Sequence, residues 1–344
     1  MSSGKFGNLP DGREADLITL TKGNIEVNLT NYGCIIQSIK VPDKNSDITD
    51  IVLGFDSVEQ YVNYGSHIGC IVGRYANRIS DARFTLDGIL YKLAANDGKN
   101  SLHGGLKGLD KVLWTVKKAN GDRVTFSYIS PDGDEGYPGN LNLIVDYSLT
   151  MAGELLITYE AQTDKATIIN LTNHSYFNLA GKGDILDHEV KINADFYTPT
   201  NKDLIPTREI QQVAGTPMDL RKSKTLRPCI NSDYKQIKLA GGYDVNYIIN
   251  GWNGKLNFCA SVYDPATSRR LNVYTTQPGV QFYTGNFLNG RHLGKEGWIY
   301  NRHAGLCLET QHYPDSPNKP DFPSTVLRPG QIYRESTLFQ FKVE

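Results

Sequence analysis

Alternation of apolar and polar residues with a period of two is the feature that most restricts the fold of this chain. In the clearest run, residues 141–149, apolar side chains occupy every second position, and the runs 124–128 and 256–262 repeat the pattern. Such alternation is typical of strands with one buried face. Helical periodicity is scarce, and only residues 57–64 predict a short helix. The sequence therefore predicts an all-β fold of antiparallel strands.

Turn residues separate the strand-sized runs. Asp87-Gly88 and Asn120-Gly121 each lie between two such runs and predict two-residue hairpin turns, because these residue types tolerate a positive φ. The stretch 193–228 is the most irregular, and we expect it to pass over the surface. Since the chain contains no internal repeat, low-complexity segment or linker, we predict one domain that spans residues 1–344.

Composition argues against a nucleic-acid or membrane partner and against secretion. The 344 residues include 36 basic and 37 acidic side chains, so there is no overall basic surplus for binding nucleic acid or an anionic membrane. No run approaches the roughly 18 apolar residues of a membrane helix, and the first seven residues lack the apolar segment of a secretory signal. Five widely spaced cysteines predict reduced thiols, and we expect a cytoplasmic protein.

Motifs for nucleotide and metal binding are absent or weak. The chain lacks the glycine-rich dinucleotide fingerprint, the phosphate-binding loop and His-Glu-x-x-His. Residues 132–136 begin like a calcium loop, but Leu143 replaces the glutamate that an EF-hand requires, so a polar turn is the better interpretation. A metal site that joins Glu309 to His312 and the nearby His303 remains an alternative.

Polar or ionisable residues cluster in a few segments that also contain glycines and aromatics and have strand-like flanks. These segments are 73–79, 101–105, 170–178, 241–246, 278–285 and 306–311. Taken singly, each key residue has a structural interpretation: Glu309 as a solvated strand carboxylate, His174 as a hydrogen-bonded histidine, Asp244 as a turn residue. His103-Gly104-Gly105 is similar to an esterase oxyanion loop, but the chain has no Gly-x-Ser-x-Gly nucleophile turn.

Together these segments resemble the galactose mutarotase (aldose 1-epimerase) family, in consistent order from about residue 17 to residue 343. The resemblance is carried by Gly-Arg-Tyr-Ala-Asn-Arg-Ile (73–79), Leu-His-Gly-Gly (102–105), Glu-Gly-Tyr-Pro-Gly-Asn-Leu (135–141), Thr-Asn-His-Ser-Tyr-Phe-Asn-Leu (172–179), Gln-Phe-Tyr-Thr-Gly-Asn (281–286) and Glu-Thr-Gln (309–311). The chain departs from the family at Val245, where His is frequent, and at Asn289, where Asp is frequent. Neither departure removes a catalytic group, and both concern the rim of the pocket.

The resemblance implies a fold, a reaction and a set of site residues. The fold would be a large antiparallel β-sandwich of the galactose mutarotase-like supersandwich type, with a shallow, wet cleft across one sheet. The substrate would be a free hexose such as galactose or glucose, with no cofactor, no metal and no obligate protein partner. Glu309 would be the base and His174 the acid. The residues implied to bind the sugar are Asn77, Arg78, His103, Tyr176, Asp244 and Gln281.

These residue types suit the interconversion of two sugar anomers. Opening the ring requires one proton to leave the O1 hydroxyl and another to reach the ring oxygen O5, which a carboxylate and an imidazolium can accomplish near neutral pH. Two other interpretations stay open. The chain could bind sugar without turnover, or it could act on phosphorylated hexoses, in which case Arg269-Arg270 is the candidate phosphate-binding pair.

Overall fold

The computed structural model describes residues 2–65 and 67–344, and strands make up most of the regular structure there. The first thirteen strands are β1 (Ser2–Asn8), β2 (Glu14–Lys22), β3 (Ile25–Thr30), β4 (Ile35–Pro42), β5 (Ile48–Asp50), β6 (Ile71–Val72), β7 (Arg78–Ile79), β8 (Arg83–Leu86), β9 (Ile89–Lys92), β10 (Ser101–Leu102), β11 (Thr115–Asn120), β12 (Arg123–Ser130) and β13 (Leu141–Leu149). The remaining strands are β14 (Glu154–Thr163), β15 (Thr167–Ile168), β16 (Thr172–Asn173), β17 (Glu189–Ile192), β18 (Phe196–Thr198), β19 (Gln211–Gln212), β20 (Lys224–Thr225), β21 (Asp244–Ile248), β22 (Asn257–Asp264), β23 (Arg269–Thr275), β24 (Gly279–Tyr283), β25 (Cys307–Gln311), β26 (Val326–Leu327) and β27 (Tyr333–Val343).

The helices are few and short. The α-helices are α1 (Val58–Tyr64), α2 (Leu226–Ile230) and α3 (Lys235–Ala240), and the single 3₁₀ turns are Ser80–Ala82, Leu109–Lys111, Asp134–Gly136, Lys295–Gly297 and Ser316–Asn318. Helix α1 forms at the predicted position because Ser57 caps it: its side chain accepts from the backbone of Gln60, whose own side chain accepts from the backbone of Ser57. Over the residues that the structure describes, no helix is long and apolar enough to span a membrane.

Three larger antiparallel sheets build the part of the chain that the structure describes. One has the order β1-β2-β3-β4-β5, a second the order β11-β12-β13-β14-β27-β23-β22-β17-β20, and the third the order β19-β18-β21-β24-β25. Short strands form separate two-stranded pairs, such as β7 with β10 and β6 with β16. All three sheets contribute to one apolar cluster, represented by Val27 in β3, Val145 in β13 and Phe282 in β24. The predicted all-β antiparallel sandwich is confirmed.

The predicted period of two is present in the burial of the strands. In β13 the apolar side chains of Leu141, Leu143 and Val145 are buried, while the intervening Asn142 and Ile144 are exposed. Asp87 and Gly88 both have positive φ and connect β8 to β9, as predicted.

The second predicted turn lies one residue further along the chain. Asn120 still pairs with Arg123, so the loop between β11 and β12 consists of Gly121 and Asp122. The side chain of Asn120 accepts from the backbone of Asp122 at 3.3 Å. Asn120 therefore acts through its side chain and needs no left-handed backbone.

The segment 193–228 is less peripheral than predicted. It supplies β18 to the five-stranded sheet that ends in β25, and Tyr197, Met218 and Leu220 belong to the main apolar cluster. The prediction was wrong here because scattered single apolar residues have no periodicity, although their side chains still reach the core.

A half-buried carboxyl in β27 makes stability depend on pH. Burial raises the pKa of Glu335 to about 7, although Thr276 donates a hydrogen bond to it. The folded state therefore binds a proton more tightly than the unfolded state, so stability is lost as pH rises from about 4.5 through 7. We expect Glu335→Gln to raise the free energy of unfolding relative to wild type by roughly 2 kcal/mol more at pH 8 than at pH 5. Urea unfolding at both pH values tests this, and an equal difference at both would contradict it.

Candidate active site

The five-stranded sheet that contains β21, β24 and β25 has one apolar face and one polar face. Because side chains alternate along a strand, Val245, Phe282 and Leu308 enter the core, while their neighbours lie on the opposite face. Gln281 pairs directly with Glu309 across β24 and β25. The amide of Gln281 donates to Oδ1 of Asp244 at 2.7 Å. The pairing of strands therefore brings together three predicted residues that are far apart in sequence: Asp244, Gln281 and Glu309.

A second group comes from the pairing of β7 with β10. Arg78 begins β7 and pairs with Leu102, so His103, the next residue, lies beside Asn77. The backbone of Asn77 donates to Nδ1 of His103 at 3.2 Å, and the backbone of His103 donates to the carbonyl of Asn77 at 3.0 Å. The Arg78 guanidinium is held by Asp97, whose Oδ2 accepts from Nε at 2.7 Å.

Glycine is required after His103. A Cβ on Gly104 would lie 1.9 Å from the carbonyl oxygen of Gly73, and one on Gly105 would lie 2.2 Å from a carboxylate oxygen of Glu135. Both residues also have positive φ. Oxygens of Glu135 accept from two backbone amides just beyond them, at Leu106 and Lys107. These contacts fix the loop that presents His103.

His174 follows β16 and faces Glu309. Its Nε2 lies 3.6 Å from Oε1 of Glu309. The imidazole ring is stacked on Tyr176 at a centroid distance of 5.1 Å and on His67 at 6.4 Å, and it meets His103 edge-on at 5.1 Å. The ring of His174 is therefore packed on several sides while one nitrogen is directed at the carboxyl group.

Burial controls the protonation of this pair. The side chains are 3% exposed for Glu309 and 6% for His174. Burial raises the pKa of Glu309 well above its usual range; the charge of Asp244 adds to this and that of Arg78 opposes it. Burial lowers the pKa of His174 to about 3, and His67 adds to the shift. Both shifts favour the neutral forms, a protonated carboxyl and a neutral imidazole, so the pair carries one proton that either group can hold.

The predicted residues lie deeper than a shallow, wet cleft would place them. All eight are less than one tenth exposed, with Arg78 the most accessible at 9%. Tyr176 turns one ring face to His174 and meets Tyr283 edge-on at 5.9 Å, so it forms part of the wall.

The two departures from the family pattern do not both reach the rim. Val245 is 1% exposed and belongs to the apolar cluster on the far side of the sheet, so this departure does not concern the rim. Asn289 is exposed and its side chain accepts from the backbone of Arg291 at 3.2 Å.

Two residues of the site were missed in the sequence. His67 lies 4.8 Å from His103, ring centroid to centroid, and its Nδ1 is 2.9 Å from Oδ2 of Asp110. Nothing in the local pattern around His67 marks it, because turns bring it to the pocket. Cys307 has Sγ 3.5 Å from Nδ1 of His174. It precedes Glu309 by two positions on a predicted strand, so the alternation of faces could have found it.

The metal site considered for Glu309, His303 and His312 does not assemble. Nδ1 of His303 lies 2.7 Å from the carbonyl oxygen of Thr284, and Nδ1 of His312 lies 2.7 Å from Oε1 of Gln277. Within the described ranges, neither imidazole belongs to a group of potential metal ligands that includes Glu309.

His103, His174 and Glu309 themselves bring three possible ligand atoms within 4.8 Å of one another. However, Nδ1 of His103 accepts from the backbone of Asn77, so the ring proton of neutral His103 is on Nε2. His103 is therefore better suited to donate a hydrogen bond than to bind a metal through Nε2.

A second group of possible ligands consists of His67, Cys70 and Asp110. The thiol of Cys70 donates to the carbonyl of His67 at 3.0 Å, and the ammonium of Lys111 lies 3.4 Å from Asp110. An ammonium beside the carboxylate opposes the binding of a cation, and burial raises the pKa of Cys70 well above its usual range, against the thiolate that metals need.

Comparison with known proteins identifies the relatives of this chain. A model of the aldose 1-epimerase family matches residues 16–340. Galactose mutarotase from Bos taurus is 49% identical over 98% of this chain and 97% of the relative, and the Homo sapiens protein is 48% identical over the same shares. Aldose 1-epimerase from Escherichia coli K12 is 38% identical over 97% of each chain.

Solved structures are similar over nearly the whole chain. The GalM/aldose epimerase homologue from C. elegans superposes with a TM-score of 0.90 at 28% identity, covering 96% of this chain and 99% of that one. Galactose 1-epimerase from Lactobacillus acidophilus NCFM gives a TM-score of 0.88 at 30% identity, covering 99% and 98%.

Proposed function

Because this chain belongs to the aldose 1-epimerase family, we propose that its pocket interconverts the α and β anomers of free hexoses such as galactose and glucose. The observation that carries this proposal is the close approach of Glu309 and His174, 3.6 Å apart and surrounded by the buried hydrogen-bonding side chains of His103, Asp244 and Gln281. O1 and O5 of a cyclic sugar are bonded to the same carbon. An acid and a base that act on them must therefore be near neighbours.

In the proposed mechanism, the proton that the pair shares lies on Nε2 of His174 when the sugar is bound, so that Glu309 is ionised. Glu309 then takes the proton from O1 while His174 gives the proton on Nε2 to O5. The bond between C1 and O5 breaks with its electron pair going to O5, and a C1–O1 double bond forms. After rotation about the C1–C2 bond, the same two groups reverse their roles and close the ring on the other face. The reaction requires one base and one acid, and each such group typically contributes about 10²–10⁴-fold to the rate.

The remaining polar groups hold the sugar hydroxyls. Asp244 accepts, Arg78 donates from the nitrogens that Asp97 does not engage, and His103 donates from Nε2. Gln281 keeps Oε1 without a hydrogen-bonding partner in the described part of the chain, so it can accept from a hydroxyl. Asn77 contributes its side-chain amide, and Tyr176 closes the wall behind His174.

The two alternative interpretations have less support. A binding module without turnover does not need the acid and the base, and both are present. A phosphorylated substrate needs cationic groups at the pocket. Arg269 instead donates to the carbonyls of Leu179 and Asp47, both at 2.9 Å, and Arg270 pairs with Glu344 at 2.6 Å.

Polarimetry tests the proposed reaction directly. Freshly dissolved α-D-galactose is followed to rotational equilibrium with and without the protein, in buffer containing EDTA, and the same is done with α-D-glucose. We expect the protein to accelerate equilibration of both sugars. A folded protein that accelerates neither sugar over buffer would overturn the proposed function.

We also propose a cytoplasmic location without nucleic-acid, membrane or obligate protein partners. The near balance of 36 basic and 37 acidic residues supports this, as do the five free cysteines. Separating soluble and membrane fractions of the source cells would detect a different location.

A further inference from the structure

This inference rests on the proposed role of His174. We propose that Cys307 is a positioning residue that keeps Nδ1 of His174 protonated, so that Nε2 is the imidazole nitrogen that gives and takes the proton. The contact that motivates this is the 3.5 Å approach of Sγ of Cys307 to Nδ1 of His174. This distance suits a hydrogen bond to sulfur, and both side chains are buried.

Two side chains of one strand lie near the two nitrogens of the His174 ring. Cys307 and Glu309 are two positions apart on β25, so their side chains lie on the same face. Cys307 meets Nδ1 of His174, and Glu309 lies 3.6 Å from Nε2. Because Tyr176 and His67 stack on the ring, its rotation about the Cβ–Cγ bond is restricted as well. The two nitrogens therefore have fixed and different surroundings.

The proton balance of the reaction explains why Nδ1 should stay protonated. In the imidazolium form both nitrogens carry protons, and the proton on Nε2 goes to O5. The neutral ring that remains has its proton on Nδ1 and a free electron pair on Nε2, ready to take a proton back when the ring closes. If Nε2 kept the proton and Nδ1 lost it, His174 could accept no proton from the sugar.

The thiol of Cys307 can support the productive form because a thiol sulfur can accept a hydrogen bond from Nδ1, 3.5 Å away. Burial raises the pKa of Cys307 well above its usual range, with Glu309 and Asp244 adding to the shift, so the group stays a neutral thiol. A neutral thiol retains the electron pairs that accept, and it adds no charge that would hold a second proton on the ring.

Two variants, each of which removes one buried cysteine thiol, test the proposal. Cys307→Ala removes the partner of Nδ1, whereas Cys259→Ala removes a fully buried thiol from β22, in the nine-stranded sheet, as the matched control. We expect Cys307→Ala to lower kcat for galactose by about tenfold with KM changed less than about twofold, and Cys259→Ala to change neither parameter by more than about twofold. Equal effects of the two variants on kcat would overturn the proposal.

A second readout does not depend on turnover. Nuclear magnetic resonance of protein labelled with ¹⁵N-histidine distinguishes the two neutral tautomers, and the signals of His174 are those lost in His174→Asn. We expect Nδ1 to carry the proton in wild type and the Nε2-protonated form to gain population in Cys307→Ala. An Nε2-protonated His174 in wild type would contradict the proposal.

The two readouts separate the failure of this inference from failure of the proposed function. If His174→Asn keeps wild-type activity, the catalytic role of His174 is wrong, whereas the tautomer spectrum still reports the contact with Cys307. Should Cys307→Ala fail to fold, Cys307→Ser retains a hydrogen-bonding side chain and is expected to keep the Nδ1-protonated form. A serine variant with the other tautomer would count against the inference.

Discussion

Glu309→Gln is expected to lower kcat for mutarotation of galactose by about 10³–10⁴-fold. The amide has nearly the shape of the carboxyl group but cannot take the proton from O1. The pocket should stay packed, since the residue lies in the middle of β25 and its neighbours are unchanged. Polarimetry with freshly dissolved α-D-galactose gives the rate, and sugar binding is measured separately by calorimetry.

A surface carboxylate provides the matched control. Glu160 lies on β14 and pairs with Arg334 at 2.8 Å, away from the site. Glu160→Gln should keep kcat within about twofold, as expected of a substitution at a partly exposed surface position. Combining Glu309→Gln with His174→Asn should cost little beyond the larger single effect, because the two groups act as a unit. A Glu309→Gln variant with more than a tenth of wild-type kcat would contradict its role as base.

The largest expected loss of stability follows replacement of Arg74, which lies in segment 73–79 together with Arg78. Arg74 is 2% exposed, and its guanidinium donates to the side chain and carbonyl of Ser130 and to the carbonyls of Pro131 and Pro138, at 2.7–3.0 Å. Arg74→Met leaves these acceptors buried without donors. We expect the free energy of unfolding to fall by about 3–5 kcal/mol.

Arg83→Met is the control for this substitution. Arg83 is exposed on β8, and its contact with Asp81 is long, at 3.7 Å. Its replacement should change the free energy of unfolding by no more than about 0.5 kcal/mol. Urea unfolding of both variants measures the contrast. A loss below about 1 kcal/mol for Arg74→Met would mean that the four hydrogen bonds are replaced by water.

The strands and the sheet class were predictable because alternation is a local property. The strand predicted for 141–149 matches β13, and the Asp87-Gly88 turn forms with both residues at positive φ. Along β25, alternation separates Glu309 from Leu308 and so identifies the polar face. Local pattern was therefore sufficient to predict a strand, a hairpin turn and the face of the strand on which a residue lies.

The contacts between segments were not predictable from local pattern. His174 reaches Glu309 across 135 positions because β16 pairs with β6 and stands against β25, and such pairings are long-range properties of the fold. The family resemblance supplied this grouping, but it did not include His67 or Cys307. Val245 illustrates the opposite case, because it is next to a site aspartate in sequence but faces the other side of its strand.

The position of β27 has a consequence for how the chain acquires its structure during synthesis. This strand, residues 333–343, pairs with β14 on one side and with β23 on the other, in the interior of the nine-stranded sheet. On the ribosome, β14 and β23 are synthesised before β27, which emerges after more than 300 residues. Until β27 is available, β14 and β23 lack the partner that joins them, and unpaired strand edges of this kind can pair with other chains.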